Sequence, residues 1–225
     1  MAKKYTARVA QIDRQADGVY SITLESEGKP FQYYPGQFLH LAIDEYDPSN
    51  VWPESRCFSI QTAPESNNIR ITYAVKGRFT ARMEAELAPG GIVALKLPYG
   101  DLFTQEHNKN NTVFLAGGTG ITPFLSLFNS AAFKEYINPV LIAGFRNRAL
   151  NFYQIELKKA KLINTTFRMH FYYENEAGLI QPGNIPSGPG QTCFISGPPA
   201  MISYFRNALQ QKGIEPKDIK TDDWE

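Results

Sequence analysis

A glycine-rich turn between two apolar stretches is the part of this sequence best suited to binding a phosphate. The turn Gly117-Gly118-Thr119-Gly120 follows the apolar run 113–115 and precedes a helical pattern that starts at Ile121. A strand, a glycine turn and a helix start offer close backbone approach and unpaired N–H groups to a pyrophosphate. Pro123 stands where the usual dinucleotide fingerprint has Gly or Ala, so the turn predicts a different nucleotide loop. Proline is well suited to the first helical turn.

Three further motifs combine positive charge, glycines and hydroxyls. They are Arg56-Cys57-Phe58-Ser59, Val75-Lys76-Gly77-Arg78-Phe79-Thr80 and Ser196-Gly197-Pro198-Pro199-Ala200-Met201. By itself the first also fits a strand with a surface arginine and an inward phenylalanine. The second also fits a plain helix cap by Thr80.

Short alternating segments are typical of the first hundred residues. Six runs of strand character are separated by turn residues, at 5–12, 19–24, 38–43, 57–60, 69–75 and 92–97. They predict an antiparallel six-stranded β-barrel over residues 1–104, with one short helix at 80–87. Residues 105–111 are polar and without period, which predicts a linker.

Strands and helices alternate after the linker. Strands are predicted at 113–116, 140–143, 167–173, 193–195 and 218–221, and helices at 121–136, 152–161 and 200–211. This order predicts an α/β domain over 112–225, a Rossmann-like parallel sheet covered by helices on both faces. Both glycine-containing loops then lie at carboxyl ends of strands, where ligands bind in such sheets. The Gly- and Pro-rich stretch 175–191 is predicted to be a surface excursion.

Composition excludes several classes of function. The 225 residues carry a net charge of +1, which does not favour nucleic-acid binding. No apolar run approaches the roughly 20 residues of a membrane span, and no secretory signal is visible, so a cytoplasmic location is expected. Two cysteines and three scattered histidines predict neither a metal site nor an iron–sulfur cluster.

The motifs together resemble the ferredoxin–NADP reductase family of flavoproteins. Two more segments share in the resemblance, Pro35-Gly36-Gln37-Phe38 and Pro98-Tyr99-Gly100-Asp101-Leu102-Phe103, and the match covers essentially the whole chain. The resemblance implies FAD on the barrel, NADPH or NADH on the α/β domain, and ring contact between them in the cleft. Relatives often carry a fused plant-type ferredoxin, but the two cysteines cannot ligate its cluster, so a stand-alone module without a fused iron–sulfur domain is expected.

On the barrel, the resemblance assigns Arg56 to the flavin phosphates, Phe58 to one face of the isoalloxazine and Ser59 to the vicinity of flavin N5. Many family members have Tyr where Phe58 stands, so a hydroxyl contact is missing. The segment around Gly77 would wrap the pyrophosphate, and it is shorter than in many members. The remaining residues implied in flavin binding are Cys57, Tyr73, Val75, Lys76, Phe79 and Thr80.

On the α/β domain, the resemblance assigns the pyrophosphate of the nicotinamide cofactor to the first glycine turn. Ser196 stands where many members have Cys beside the reacting nicotinamide carbon. Ser59, Thr119 and Ser196 are therefore the expected catalytic residues. The expected binding residues are Gly117, Gly118, Thr119, Gly120, Thr122, Pro123, Gly197, Pro198, Pro199 and Met201.

Arg146 and Arg148 follow the second strand of the α/β domain. An acid there binds the ribose of NAD, whereas arginine accommodates the 2′-phosphate of NADP. The arginines therefore favour NADPH, although they also occur in NADH-using members, and a solvated loop is the alternative. Trp224 would either cover the flavin or pack on the surface.

The implied activity is hydride transfer from NAD(P)H to FAD, followed by electron transfer to a separate protein such as a ferredoxin, a flavodoxin or a haem protein. Two alternatives stay open. One is a free-flavin or ferric reductase with small-molecule acceptors. The other is a non-catalytic electron-relay subunit, which Ser196 and the short 77–80 loop motivate.

Overall fold

The N-terminal half of the chain is an antiparallel sheet that curls almost into a closed barrel. In a computed structural model, which describes residues 2–188 and 190–222, its strands are β1 (Lys3–Ala16), β2 (Val19–Ser26), β3 (Phe38–Ala42), β4 (Ser55–Ser59), β5 (Asn68–Ala74) and β6 (Ile92–Tyr99). They pair in the order β4-β3-β6-β1-β2-β5. The N–H of Gln61, just beyond β4, donates to the carbonyl of Arg70 in β5 at 2.8 Å, which nearly closes the ring.

Alternation of side chains explains why these segments form the barrel. Successive side chains of a strand point to opposite faces, so every second residue lines the interior. Ile22 and Leu24 of β2 and Ile69 and Ile71 of β5 are fully buried in one core. The helix α1 (Arg78–Glu86) closes one end of this core with Phe79 and Met83.

The C-terminal half is a parallel sheet between helices. Its strands are β7 (Val113–Gly117), β8 (Val140–Phe145), β9 (Arg168–Tyr173), β10 (Cys193–Ser196) and β11 (Ile219–Thr221), in the order β11-β10-β7-β8-β9. The helices are α2 (Thr122–Phe128), α3 (Gln154–Ile163), α4 (Glu174–Ala177) and α5 (Pro199–Gln211). Separate apolar cores cover its two faces, one containing Phe114 and the other Leu115. The predicted two-domain fold class is confirmed.

The helix predicted at 121–136 is wrong in its length. It ends at Phe128, and a 3₁₀ turn, Ala131–Glu135, follows. Asn129 and Ser130 end it, because their side chains donate to the carbonyls of Leu125 at 3.0 Å and Leu127 at 2.8 Å. Such local hydrogen bonds satisfy the last carbonyls without further helix.

The stretch 175–191 is more ordered than a plain excursion. It includes most of α4 and a 3₁₀ turn, Pro182–Asn184. Across the described ranges, no helix combines the length and apolar character that a membrane crossing demands.

Hydrogen bonds that involve side chains hold the barrel half against the parallel-sheet half. Ser126 of α2 donates to the carbonyl of Thr62 at 2.8 Å, and Gln61 donates to the Glu156 carboxylate of α3 at 3.0 Å. The Glu65 carboxylate accepts from the N–H of Ala131 at 3.1 Å. The two halves therefore meet along α2, the 3₁₀ turn that follows it and the start of α3.

Phe114→Ala tests the core of the second half. Phe114 is fully buried, with ring centroids of Phe128 at 4.9 Å and Phe194 at 5.4 Å. The cavity left behind is expected to lower the free energy of unfolding by about 3–5 kcal/mol in urea titrations. Ile155→Ala is the control, since Ile155 is 68% exposed and its loss should change stability by less than about 0.5 kcal/mol. Equal effects of the two substitutions would contradict this description of the core.

Candidate active site

The two glycine-containing loops start side by side. The strands β7 and β10 are parallel neighbours, and Ala116 pairs with Ser196 at their carboxyl ends. The residues Gly118–Ile121 form a single 3₁₀ turn, from which α2 continues with Pro123 in its first turn. The Thr122 hydroxyl donates to the carbonyl of Thr119 at 2.9 Å, so it stabilises the turn itself.

The two loops touch at Gly117 and Gly120. A Cβ atom at Gly120 would lie 2.5 Å from the carbonyl oxygen of Ser196 and 2.6 Å from the nitrogen of Gly197. A Cβ atom at Gly117 would lie 2.4 Å from the sulfur of Met201. The backbone atoms around Gly120 cannot move aside as a flexible side chain can, so this position requires glycine.

Gly118 has a different reason to be glycine. Its φ of +55° lies in the left-handed region, and a Cβ atom there would have no described atom within 4 Å. The backbone at this point of the turn is therefore open to a ligand. The other side of the turn is closed, since a Cβ atom at Gly117 would lie 3.0 Å from Cδ of Pro198. The next residue, Pro199, begins α5.

A carboxylate joins the expected catalytic serines across the cleft. The Asp222 carboxylate accepts from the Ser196 hydroxyl at 3.1 Å and from the Ser59 hydroxyl at 3.4 Å. The second contact is long for a hydroxyl–carboxylate hydrogen bond, so Ser196 is the closer partner. The N–H of Asp222 donates to the carbonyl of Ile195 at 2.9 Å, which anchors the residue after β11. Ser59 of the barrel and Ser196 of the parallel sheet therefore belong to one cluster.

Sequence patterns do not predict Asp222 as a site residue. It opens an acidic end and has no motif around it. The available signal is topological: the residue follows β11, and carboxyl ends of parallel strands share one edge of the sheet. Thr119, the third expected catalytic residue, lies in the adjacent turn. Trp224 lies outside the described residues.

Two exposed arginines share one carboxylate where the barrel meets α1. Arg56 pairs with Glu54 at 3.0 Å, and Arg78 pairs with the other oxygen of Glu54 at 3.1 Å. Their side chains are 54% and 81% exposed. The Arg56 guanidinium also lies 5.2 Å from the ring centroid of Phe79. Exposed ion pairs contribute little, so an incoming phosphate can take the place of Glu54.

The start of α1 offers backbone donors rather than the Thr80 hydroxyl. That hydroxyl accepts from the N–H of Lys76 at 2.9 Å and of Gly77 at 3.1 Å, and it donates to the carbonyl of Gly77 at 3.1 Å. Thr80 therefore caps the helix, and its single O–H already donates to the carbonyl of Gly77. Among the described residues, the N–H groups of Arg78 and Phe79 find no acceptor. They are the orphan donors of a helix start.

The side chains of the β4 motif point to two faces. Phe58 is 8% exposed and contacts Tyr73 edge-on at 6.1 Å, and burial raises the pKa of Tyr73 to about 12. Cys57 points the other way, with its sulfur 3.5 Å from Nε2 of His40. Burial raises the pKa of the Cys57 thiol, so it is a neutral neighbour of His40 and does not lie with Phe58. Val75 is placed by its N–H, which donates to the carbonyl of Gly18 at 2.8 Å.

Arg146 and Arg148 lie at the same edge of the parallel sheet, after β8. The strand β8 adjoins β7 on the side away from β10, so these arginines flank the glycine turn. Arg148 forms a two-pronged pair with Glu176, with both contacts at 2.8 Å.

Comparison with known proteins finds a family match for the parallel-sheet half. The family model described as "Oxidoreductase NAD-binding domain" matches residues 114–207. This half of the chain is therefore similar to oxidoreductase NAD-binding domains. The match contains both glycine loops and the two arginines, and it confirms the predicted resemblance for this half.

Relatives of known activity match more of the chain at low identity. The reductase component of phenol 2-monooxygenase from Pseudomonas sp. (strain CF600) is 24% identical over 214 residues, 85% of this chain and 57% of that protein. The ferredoxin–NAD(P)(+) reductase component of the naphthalene 1,2-dioxygenase system from Pseudomonas putida is 26% identical over 207 residues, 86% of this chain and 61% of that protein. The chain thus spans little more than half the length of these relatives.

A solved structure shows the fold of the whole chain. The ferredoxin NADP⁺ reductase from Neisseria gonorrhoeae, with bound FAD and NADP, superposes with a TM-score of 0.82 at 17% identity and covers 99% of both chains. The barrel followed by the parallel-sheet half therefore has the ferredoxin–NADP reductase fold, as the motifs predict.

Proposed function

We propose that this chain is an NAD(P)H-dependent FAD oxidoreductase that passes electrons to a separate acceptor. FAD supplies the redox chemistry when bound, by accepting a hydride from nicotinamide C4 at its N5 atom. One observation carries the proposal: the Asp222 carboxylate lies 3.4 Å from the hydroxyl of Ser59 in the barrel and 3.1 Å from the hydroxyl of Ser196 in the NAD-binding domain. This proximity of hydroxyls from both halves supports a site in which the two rings would meet between the halves.

The barrel residues fit a flavin dinucleotide. Arg56 is an exposed, permanently charged fork that pairs with Glu54 and donates to the carbonyl of Ser55 at 2.8 Å, and its charge and planar shape suit it to the phosphates. The first N–H groups of α1 lie in the same region, and a Cβ at Gly77 would have no described atom within 4 Å. Phe58 would pack against the isoalloxazine and Ser59 would donate toward N5.

The NAD-binding domain would hold the nicotinamide cofactor at its strand ends. The open backbone at Gly118 would receive the pyrophosphate, with Thr119 beside it. Ser196 and the 197–199 segment would position the nicotinamide. Hydride transfer requires orientation and near-contact distance rather than a proton donor, so hydroxyls that fix geometry suffice.

The acceptor is proposed to be a separate electron-transfer protein, such as a ferredoxin, a flavodoxin or a haem protein. The given sequence has only Cys57 and Cys193, whereas a ferredoxin-type cluster is held by four cysteines. Relatives named as reductase components of oxygenase systems support a protein acceptor.

The acceptor is tested with FAD-loaded protein after gel filtration. We expect FAD to stay bound, and NAD(P)H oxidation to be faster with a plant-type ferredoxin than with free riboflavin or a ferric chelate. Loss of flavin on the column, with turnover of added riboflavin, would instead identify a free-flavin reductase. Retained flavin that neither NADH nor NADPH reduces would favour a non-catalytic electron-relay subunit.

Asp222→Ala tests the cluster between the halves. Without its carboxylate, two nearly buried hydroxyls lose their acceptor, and ring orientation should suffer. We expect unchanged FAD content and flavin reduction by NAD(P)H slowed about 10-fold, the equivalent of about one charge-assisted hydrogen bond, in stopped-flow experiments. Asp218→Ala, at the opposite end of β11, is the matched control and should reduce flavin at the wild-type rate. Identical rates in both variants would remove Asp222 from the site.

A further inference from the structure

The ion pair between Arg148 and Glu176, in the loops after β8 and β9, bears on whether the protein binds NADH or NADPH more tightly. Arg148 donates from Nε and Nη2 to the two carboxylate oxygens of Glu176, and its guanidinium lies 4.6 Å from the ring centroid of Tyr173. The side chains of the pair are 71% and 40% exposed. Arg148 is thus oriented by an acid and an aromatic ring, at the edge of the sheet that carries the glycine turn.

The fold places an acid, Glu176, beside the loop after β8, although that loop itself contains none. In dinucleotide-binding sheets the residue after the second strand contacts the adenosine ribose, and an acid there selects NAD. Here the second strand, β8, is followed by arginines, but Glu176 comes from α4 after the neighbouring strand β9. A backbone hydrogen bond from the N–H of Asn175 to the carbonyl of Arg146, at 3.2 Å, holds the two loops together.

Charge at this corner is balanced. Arg146 and Arg148 follow β8 and Glu174 and Glu176 belong to α4, and all four are exposed residues. A 2′-phosphate would bring about two negative charges to a corner without net positive charge. Glu176 would lie beside it, and like charges at close range oppose binding. Ribose hydroxyls meet no such penalty, because each carboxylate oxygen keeps a lone pair after bonding Arg148.

We propose that Glu176 makes this protein prefer NADH over NADPH, by holding Arg148 and by accepting from the ribose hydroxyls. The inference rests on the proposed function and names the cofactor of the same site. It reverses the preference that the arginines alone predict, since Glu176 places a negative charge beside Arg148 that would also lie beside a 2′-phosphate.

Direct binding tests the inference without turnover. Calorimetry on the FAD-loaded protein at low ionic strength would compare the binding of NAD⁺ and NADP⁺, which differ only at the 2′ position. It would also compare 5′-ADP with 2′,5′-ADP, which differ both at the 2′ position and in the 5′ diphosphate. We expect wild type to bind NAD⁺ at least fivefold more tightly than NADP⁺. Glu176→Gln removes the charge and keeps the shape, and it should shift the NAD⁺ to NADP⁺ affinity ratio about 10-fold toward NADP⁺.

Two further variants make the result specific. Glu215→Gln, whose acid pairs with Lys217 elsewhere on the surface, should leave the ratio unchanged. Arg148→Ala frees Glu176 and should shift the ratio toward NAD⁺. Tighter binding of NADP⁺ by wild type, or an unchanged ratio in Glu176→Gln, would overturn the inference.

Anaerobic flavin reduction separates this inference from the proposed function. If neither nicotinamide reduces the flavin, the oxidoreductase proposal fails, while the binding ratios still decide the role of Glu176. If both reduce it equally well in wild type and in Glu176→Gln, the oxidoreductase proposal stands and the role of Glu176 is wrong.

Discussion

Replacing Gly120 with alanine is expected to slow NAD(P)H-dependent flavin reduction about 100-fold or more, with FAD still bound. The added Cβ would lie 2.5 Å from the carbonyl oxygen of Ser196 and 2.6 Å from both the nitrogen and Cα of Gly197. Since these are backbone atoms, the two loops must separate. Ser196 then moves relative to Thr119 and the nicotinamide loses its position. Overpacking should also lower the free energy of unfolding by about 1–3 kcal/mol.

The measurement is stopped-flow reduction of FAD-loaded protein, with urea unfolding in parallel. Gly183→Ala is the control, because a Cβ there meets no described atom within 4 Å and the residue has no positive φ. It should behave as wild type in both experiments. A folded Gly120→Ala protein with wild-type reduction kinetics would show that contact between the loops does not position the nicotinamide.

Arg56→Ala is expected to weaken FAD binding about 100-fold. A phosphate contact made by a guanidinium is charge-assisted, and each such hydrogen bond is worth about 1.5–3 kcal/mol. The cost of freeing Arg56 from Glu54 is small, because the pair is exposed. The fold should survive, since the Arg56 side chain is more than half exposed.

Equilibrium titration of apoprotein with FAD measures the effect through quenching of flavin fluorescence. Arg14→Ala removes an arginine of similar exposure, paired with Asp17, and should bind FAD as wild type does. Arg56→Lys keeps the charge without the planar fork and should lie between the two. Wild-type affinity in Arg56→Ala would remove the arginine from the flavin phosphates.

Local sequence signals predicted most of the fold. Alternating apolar residues such as Ile69 and Ile71 identify strands because every second side chain enters the core. The helix beginning at Thr122 was predicted too long, because the polar side chains of Asn129 and Ser130 end it by bonding carbonyls one turn back. A hydrophobic pattern carries no information about such caps.

The candidate site was predictable where its residues are contiguous in sequence. Both glycine loops and the β4 motif are short strings, and the parallel pairing of β7 with β10 brings the loops together. Asp222 and Glu176 were not predicted as site residues. Asp222 contacts Ser59 from a distant segment of the chain, and Glu176 contacts Arg148 from a separate loop. Ser59 and Asp222 lie 163 positions apart along the chain. Single-sequence patterns do not report such distances.

An anaerobic titration with NADH and NADPH tests the central claim most directly. FAD-loaded protein is mixed with each nucleotide in separate cuvettes, and the absorbance band of oxidised flavin is followed. We predict that the band bleaches to completion with about one equivalent of nucleotide, since one hydride reduces one flavin. Flavin that stays bound and fully oxidised with both nucleotides would contradict the proposal that this chain is an NAD(P)H-dependent flavoprotein oxidoreductase.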